Sequence, residues 1–110
     1  MKTAKARRVP GVMNRLEADY AAHLDGLIVS GDIITWRYEP LKLKLADKTY
    51  YSPDFLVIAA DLGVELHEVK GFMREDAAIK LKVAAETFAF FKFFLATRRR
   101  VRDPWDVREV

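Results

Sequence analysis

Asp54, Glu68 and Lys70 stand in a segment otherwise composed for a sheet, YYSPDFLVIAADLGVELHEVKGF, residues 50–72. Two carboxylates brought close repel each other unless a proton or a cation lies between them. As oxygen donors they suit a hard divalent cation such as Mg2+, which keeps several of its waters. A lysine two residues from one of them adds a point positive charge and a proton-transfer group. Together these residues are equipped for phosphodiester hydrolysis. The metal polarises the phosphate and lowers the pKa of a bound water. The lysine orients or deprotonates that water, or stabilises charge on the phosphate in the transition state. The plainer reading is that Asp54 caps a strand end and Glu68–Lys70 is a surface ion pair of small worth. A bare D…ExK pattern favours the plainer reading, so the surrounding sequence has to decide.

The elements that would bring these groups together can be read from periodicity. Side chains on a strand alternate faces, so Asp54, Leu56, Ile58 and Ala60 share one face, and Val64, Leu66, Glu68 and Lys70 share one face of the next strand. A three-residue loop 61–63 with Gly63 in the left-handed conformation is a common hairpin closure. It pairs Ala60 with Val64 and Asp54 with Lys70, placing all three groups on one side at one end. A two-residue loop would oppose Asp54 to Val69, on the wrong face.

Around this hairpin, Leu16, Tyr20, Leu24, Leu27 and Ile28 recur at helical spacing, which predicts a helix over about 13–29 with Asn14 as its N-cap and Ser30-Gly31-Asp32 as its stop. Strands are expected at Ile33–Glu39 and around Leu41, Leu43 and Leu45, followed by a turn over 46–49. Two further strands are expected at about 54–60 and 64–70. Glu75 and Asp76 open a second helix, about 75–87, since acids in the first turn suit the helix dipole. Phe90–Ala96 reads as the last strand. The tail after Arg98 carries no clear pattern, although Trp105 is a candidate anchor. Helix, antiparallel strands, helix and strand make an α/β domain with a mixed sheet flanked by helices.

Bulk properties agree with a packed domain. The 110 residues are 51% hydrophobic and 12% aromatic, enough for one domain with a core. There is no cysteine, which excludes disulfides and thiolate chemistry. The basic N-terminus lacks the apolar run of a signal peptide, and no apolar run approaches the roughly 20 residues of a membrane span. The expectation is a cytoplasmic protein with no membrane partner. Charge is unevenly laid out on a net of +3. Residues 1–15 hold Lys2, Lys5, Arg7, Arg8 and Arg15 with no acid, and 98–110 hold five arginines against three acids. The segment between has 9 basic and 13 acidic residues. Basic ends around an acidic middle suit a protein that grips a polyanion with its flanks. Charged termini that only aid solubility explain the layout equally well.

Ser52-Pro53-Asp54-Phe55 and Glu68-Val69-Lys70-Gly71, with thirteen residues between Asp54 and Glu68, resemble the PD-(D/E)xK nuclease superfamily. The likeness is greatest to small phage-type endonucleases and Holliday-junction resolvases of the phage endonuclease I group, and it covers roughly residues 14–96. The resemblance implies a restriction-endonuclease-like core in the order αβββαβ, forming a single nuclease domain over 1–110 with a basic arm at 1–12 and a basic tail at 98–110. It implies Mg2+, replaceable by Mn2+, held by Asp54, Glu68 and the Val69 carbonyl, with Lys70 as the catalytic lysine. Glu17 matches the further glutamate that such enzymes carry on the first helix, as a metal ligand or water-positioner. The same residue is also an ordinary first-turn acid. It borders the apolar stripe of its helix, whereas Asp19 and Asp25 look solvent-facing. The implied activity is endonucleolytic hydrolysis of DNA, with branched or distorted structures as substrate and 5′-phosphate and 3′-hydroxyl ends as products. Two active sites are needed to cut a junction symmetrically, so a homodimer is expected.

Arg7, Arg8, Lys80, Arg98, Arg99 and Arg100 are candidates for contact with the nucleic-acid backbone, since Arg forks match phosphate oxygens. For Lys80, as for Lys82, a solvated helix face is the simpler account. His67 falls on the face opposite Glu68 and reads as structural or exposed; His23 is similarly weak, and Glu65 lacks a lysine two residues on. Phe91, Phe93 and Phe94 fit a dimer interface or a core. The alternative function is a non-catalytic nucleic-acid-binding or assembly module on the same scaffold, and a nuclease acting on RNA or damaged DNA is equally compatible with the charge.

Overall fold

A computed structural model describes residues 11–110, so Arg7 and Arg8 lie outside the described residues. Two helices and seven strands follow in the order α1 (Arg15–Ser30), β1 (Ile33–Tyr38), β2 (Leu43–Ala46), β3 (Thr49–Tyr51), β4 (Phe55–Ala59), β5 (Val64–Lys70), α2 (Glu75–Thr87), β6 (Lys92–Thr97) and β7 (Asp106–Glu109). Five strands form one mixed sheet in the order β1-β4-β5-β6-β7, and β2 and β3 form a separate two-stranded hairpin. The class is α/β with a mixed sheet and two helices. Among the described residues no helix is long and apolar enough to cross a membrane.

The start of α1 is written in its first residues. Asn14 Oδ1 accepts from Glu17 N–H at 2.8 Å, and Glu17 Oε1 accepts from Asn14 N–H at 2.9 Å, a reciprocal capping box. Gly31 ends the helix at φ 83°, where a side chain would be strained, and its N–H bonds the Ile28 carbonyl. Asn14→Ala removes one half of the box and is expected to cost about 1 kcal/mol, read as a lower denaturation midpoint with an unchanged slope.

Alternation sorts the sheet into two buried faces. On one side Tyr20, Ala21 and Leu24 of α1 pack with Phe55, Val57, Val69 and Ala96, and Trp36 and Tyr38 lean on Phe55. On the other, Leu81 and Ala84 of α2 pack with Leu66, Phe93 and the small hairpin's Leu43 and Tyr51. Each cluster removes several large apolar side chains from water, at roughly 1.5–3 kcal/mol each. The α2 crossover makes β5 and β6 parallel, with Lys70 beside Thr97.

Two expectations are corrected here and two open points are filled in. The 54–70 hairpin does have a three-residue loop, but it spans 60–62: Ala59 N–H bonds the Gly63 carbonyl at 2.9 Å. Ile58 therefore pairs with Val64 and Phe55 with His67, which sets Asp54 across from Glu68 rather than Lys70. The left-handed residue is Leu62, at φ 72°, not Gly63. A Cβ at Gly63 would lie 2.9 Å from Asp61 Oδ1, the atom that takes the Gly63 N–H, so a side chain there would displace that carboxylate. Thr49–Tyr51, not anticipated as a strand, pairs with β2. The unassigned tail supplies β7, antiparallel to β6, with Trp105 edge-on to Tyr20. Finally, Phe93 is a core residue at 2% exposure, and Phe91 and Phe94 are half-buried; Phe90, at 77%, is the exposed aromatic of that run.

Candidate active site

Asp54 enters the sheet immediately after the buried Pro53. Its main-chain carbonyl accepts from Glu39 N–H on the β1 side at 2.8 Å. Its side-chain Oδ2 accepts from Val69 N–H on the β5 side at 2.8 Å. A carboxylate is thus fastened at the end of the β4–β5 ladder. Glu68 lies opposite on β5, with its side chain on the same face by alternation. Only 3% of Asp54 and 6% of Glu68 reach solvent, which for two acids side by side is an uncomfortable arrangement.

The cost is visible in the ionisation of Asp54. Burial, then the charge of Glu68 and a hydrogen bond between the two side chains, push its pKa up to about 7, against the opposing pull of Val69 N–H and Lys70. Glu68 is held from two further sides. Tyr51, brought over the sheet by the β2–β3 hairpin, donates its hydroxyl to Oε1 at 2.6 Å, and Lys70 Nζ stands 3.6 Å from Oε2. Burial and the neighbouring Glu68 hold the Tyr51 phenol well above its ordinary pKa, so it remains a donor. These groups open on a cleft of about 190 Å3, shared with Ser52, Met73, Ala77 and Lys80.

Asp54, Glu68, Lys70 and Lys80, all named from sequence, therefore meet in one cleft. Glu17 is placed differently. It belongs to α1, on the other face of the sheet, where it is buried and its Oε1 takes the Asn14 N–H and, at 2.8 Å, the Tyr38 hydroxyl. Among the described residues no three His, Asp or Glu side chains gather as a metal-holding group, so the acids of the cleft are a pair.

The C-terminal arginines divide. Arg98 is bound to Asp19 and lies 4.3 Å above the Trp105 ring, so it fastens the tail to α1, and Asp19 is not the solvent-facing acid it seemed. Arg100 pairs with Asp103 at 3.6 Å. Arg99 is exposed. His67 is indeed structural: it is buried, with Nδ1 2.6 Å from the Tyr20 hydroxyl and Nε2 2.8 Å from Glu65. Burial first, and the nearby His67 second, lower the pKa of His23.

Tyr51 is the site residue that sequence reasoning missed. Its only signal was the β-forming run Thr49-Tyr50-Tyr51 after a turn, too short to stand out.

The donor set suits a hard cation. Two carboxylates are what Mg2+ ordinarily takes from a protein, its other positions being filled by water and phosphate oxygens. A cation would also relieve the repulsion between the two acids. Compared with known proteins, the chain matches no family model, no curated protein and no solved structure.

Proposed function

We propose that the chain is a Mg2+-dependent endonuclease of the PD-(D/E)xK type that hydrolyses DNA, with a restriction-endonuclease-like core. The observation that carries this reading is the buried Asp54–Glu68 pair on adjacent strands, with Lys70 beside it, in a cleft open to solvent. A purely structural pair would gain more from apolar replacement, since burying like charges is costly. The order of α1, the hairpin β4–β5, α2 and β6 also follows the core that the sequence resemblance implies.

Asp54 and Glu68 would hold the cation, and the Val69 carbonyl would offer a further oxygen at the same strand end. The bound cation supplies Lewis acidity to the phosphate and acidifies a water. Val69 N–H and the Tyr51 hydroxyl fix the two carboxylates so that they need not reorganise. Lys70 orients the attacking water, takes its proton, or neutralises charge growing on the phosphate. Lys80, on the rim, is placed to meet a neighbouring phosphate. Glu17 acts from behind, by anchoring the start of α1 and the Tyr38 hydroxyl. Cleavage leaves 5′-phosphate and 3′-hydroxyl ends. Branched or distorted DNA is the preferred substrate class, and a homodimer supplies the two sites that symmetrical cutting requires.

The test is cleavage of supercoiled plasmid and of a four-way junction with Mg2+, then with EDTA. Cleavage in Mg2+ that EDTA abolishes is expected. Persistent cutting in EDTA, or none on any DNA in Mg2+ or Mn2+, refutes it.

A further inference from the structure

The cleft of Asp54, Glu68 and Lys70 continues past Lys70. Met73, on its wall, also lines a wider depression formed with Gly71, Phe72, Thr97 and Arg99. This second space lies where the parallel strands β5 and β6 end side by side. The crevice outside the carboxyl ends of parallel strands is a recurrent place for ligands.

Phe72 is 81% exposed there, two residues after Lys70. A phenyl ring left in water adds nothing to either core. Alone it would be unremarkable, but its surroundings are specific. The two acids of the depression are already engaged, Asp103 with Arg100 and Asp106 with Arg108. Arg98 is engaged by Asp19. Arg99 is exposed and makes no ion pair among the described residues. The depression therefore offers an exposed aromatic face and one uncommitted guanidinium, contiguous with the acidic cleft.

An aromatic ring beside a cation is how proteins hold single-stranded nucleic acid, with the base on the ring and the phosphate on the cation. Bases within a duplex are stacked on both faces and cannot use such a ring without being pulled out. Resting on the endonuclease reading, we propose that Phe72 and Arg99 form a subsite for an unpaired nucleotide next to the scissile phosphate. The base stacks on Phe72 and its phosphate meets Arg99. The favoured substrate is then DNA with unpaired nucleotides beside the cut.

Binding in EDTA at low salt, where nothing is cut, tests this with the full chain, a labelled oligothymidine and a duplex of equal length. Phe72→Ala is expected to weaken binding of the single strand roughly 5- to 100-fold and to leave duplex binding within about twofold of wild type. Phe72→Trp is expected to keep the affinity and to add a third tryptophan to Trp36 and Trp105, whose extra emission over wild type the oligonucleotide quenches. Wild-type affinity in Phe72→Ala, or no added quenching in Phe72→Trp, overturns the proposal. So does a change of oligomeric state in Phe72→Ala with strand binding intact, which assigns the ring to a protein contact. Plasmid cleavage in Mg2+ is scored separately. If wild type cuts and Phe72→Ala binds the strand normally, only the subsite is lost. If wild type cuts nothing, the endonuclease reading is lost whatever Phe72 binds.

Discussion

Lys70→Ala is expected to lower the rate of DNA cleavage by roughly 10^2- to 10^4-fold, the range for losing a proton-transfer group or a preorganised charge. The ammonium stands 3.6 Å from Glu68 and its side chain is 38% exposed, so it is close to the acids and still open to the cleft. A partly exposed ion pair adds little to stability. The variant should thus melt within a few degrees of wild type, which separates lost chemistry from lost fold. Lys70→Arg distinguishes the possible roles. A guanidinium keeps the charge but does not give up its proton. Partial rescue by arginine assigns Lys70 to charge stabilisation, and no rescue assigns it to proton transfer. Wild-type rates in Lys70→Ala would remove the enzyme reading altogether.

In EDTA, Asp54→Asn is expected to melt higher than wild type above neutral pH and to lose that advantage in acid. The sign follows from the raised pKa. Asp54 binds its proton up to about pH 7 in the folded chain, but only to about its ordinary value of 3.8 when unfolded. Between these limits the folded state holds more protons, so stability falls as pH rises. Below the lower limit both states are protonated and nothing is lost. Asparagine mimics the protonated acid: its oxygen can accept from Val69 N–H and its amide can donate to Glu68. The variant escapes the decline, with a gain of roughly 5 °C or more at pH 8 if a kilocalorie or two is recovered. Millimolar Mg2+ should reverse the ranking. Wild type gains stability by mass action on a folded-state ligand, about 2.7 kcal/mol at a hundred times Kd. The variant, lacking one carboxylate, should gain much less and should not cleave DNA. A melting series at pH 5, 6, 7 and 8 with and without Mg2+ reads all of this. Equal pH profiles for the two proteins would mean that Asp54 is not strained by its neighbours.

Both experiments depend on a hairpin whose faces were legible and whose register was not. Alternation in Asp54-Phe55-Leu56-Val57 and in Leu66-His67-Glu68-Val69-Lys70 placed the acids and the lysine on one side, and the structure agrees. It could not choose between loops 61–63 and 60–62. Moving the loop by one residue shifts the pairing by two, and a shift of two leaves every side chain on its original face. The choice was made by the turn itself, where Asp61 binds Gly63 N–H and Leu62 adopts the left-handed conformation. The outcome matters chemically, because it opposes acid to acid and leaves Lys70 one alternation further along.

Local chemistry thus settled what local physics controls. The capping box of Asn14 and Glu17 began α1 and Gly31 ended it; acids in the first turn began α2; period-two runs set β4 and β5. Tertiary structure alone decided the groups that arrive from far along the chain. Tyr51 reaches Glu68 because a three-residue strand is tied to β2 and packed by α2. Glu17 is spent on Asn14 and Tyr38 because α1 covers the other face. Arg98 is drawn from the clamp by Asp19 and Trp105, and β7 forms because β6 would otherwise present an unpaired edge. Short elements and long-range pairings have too little sequence of their own to carry a signal; the energy that orders them resides in the partners they meet.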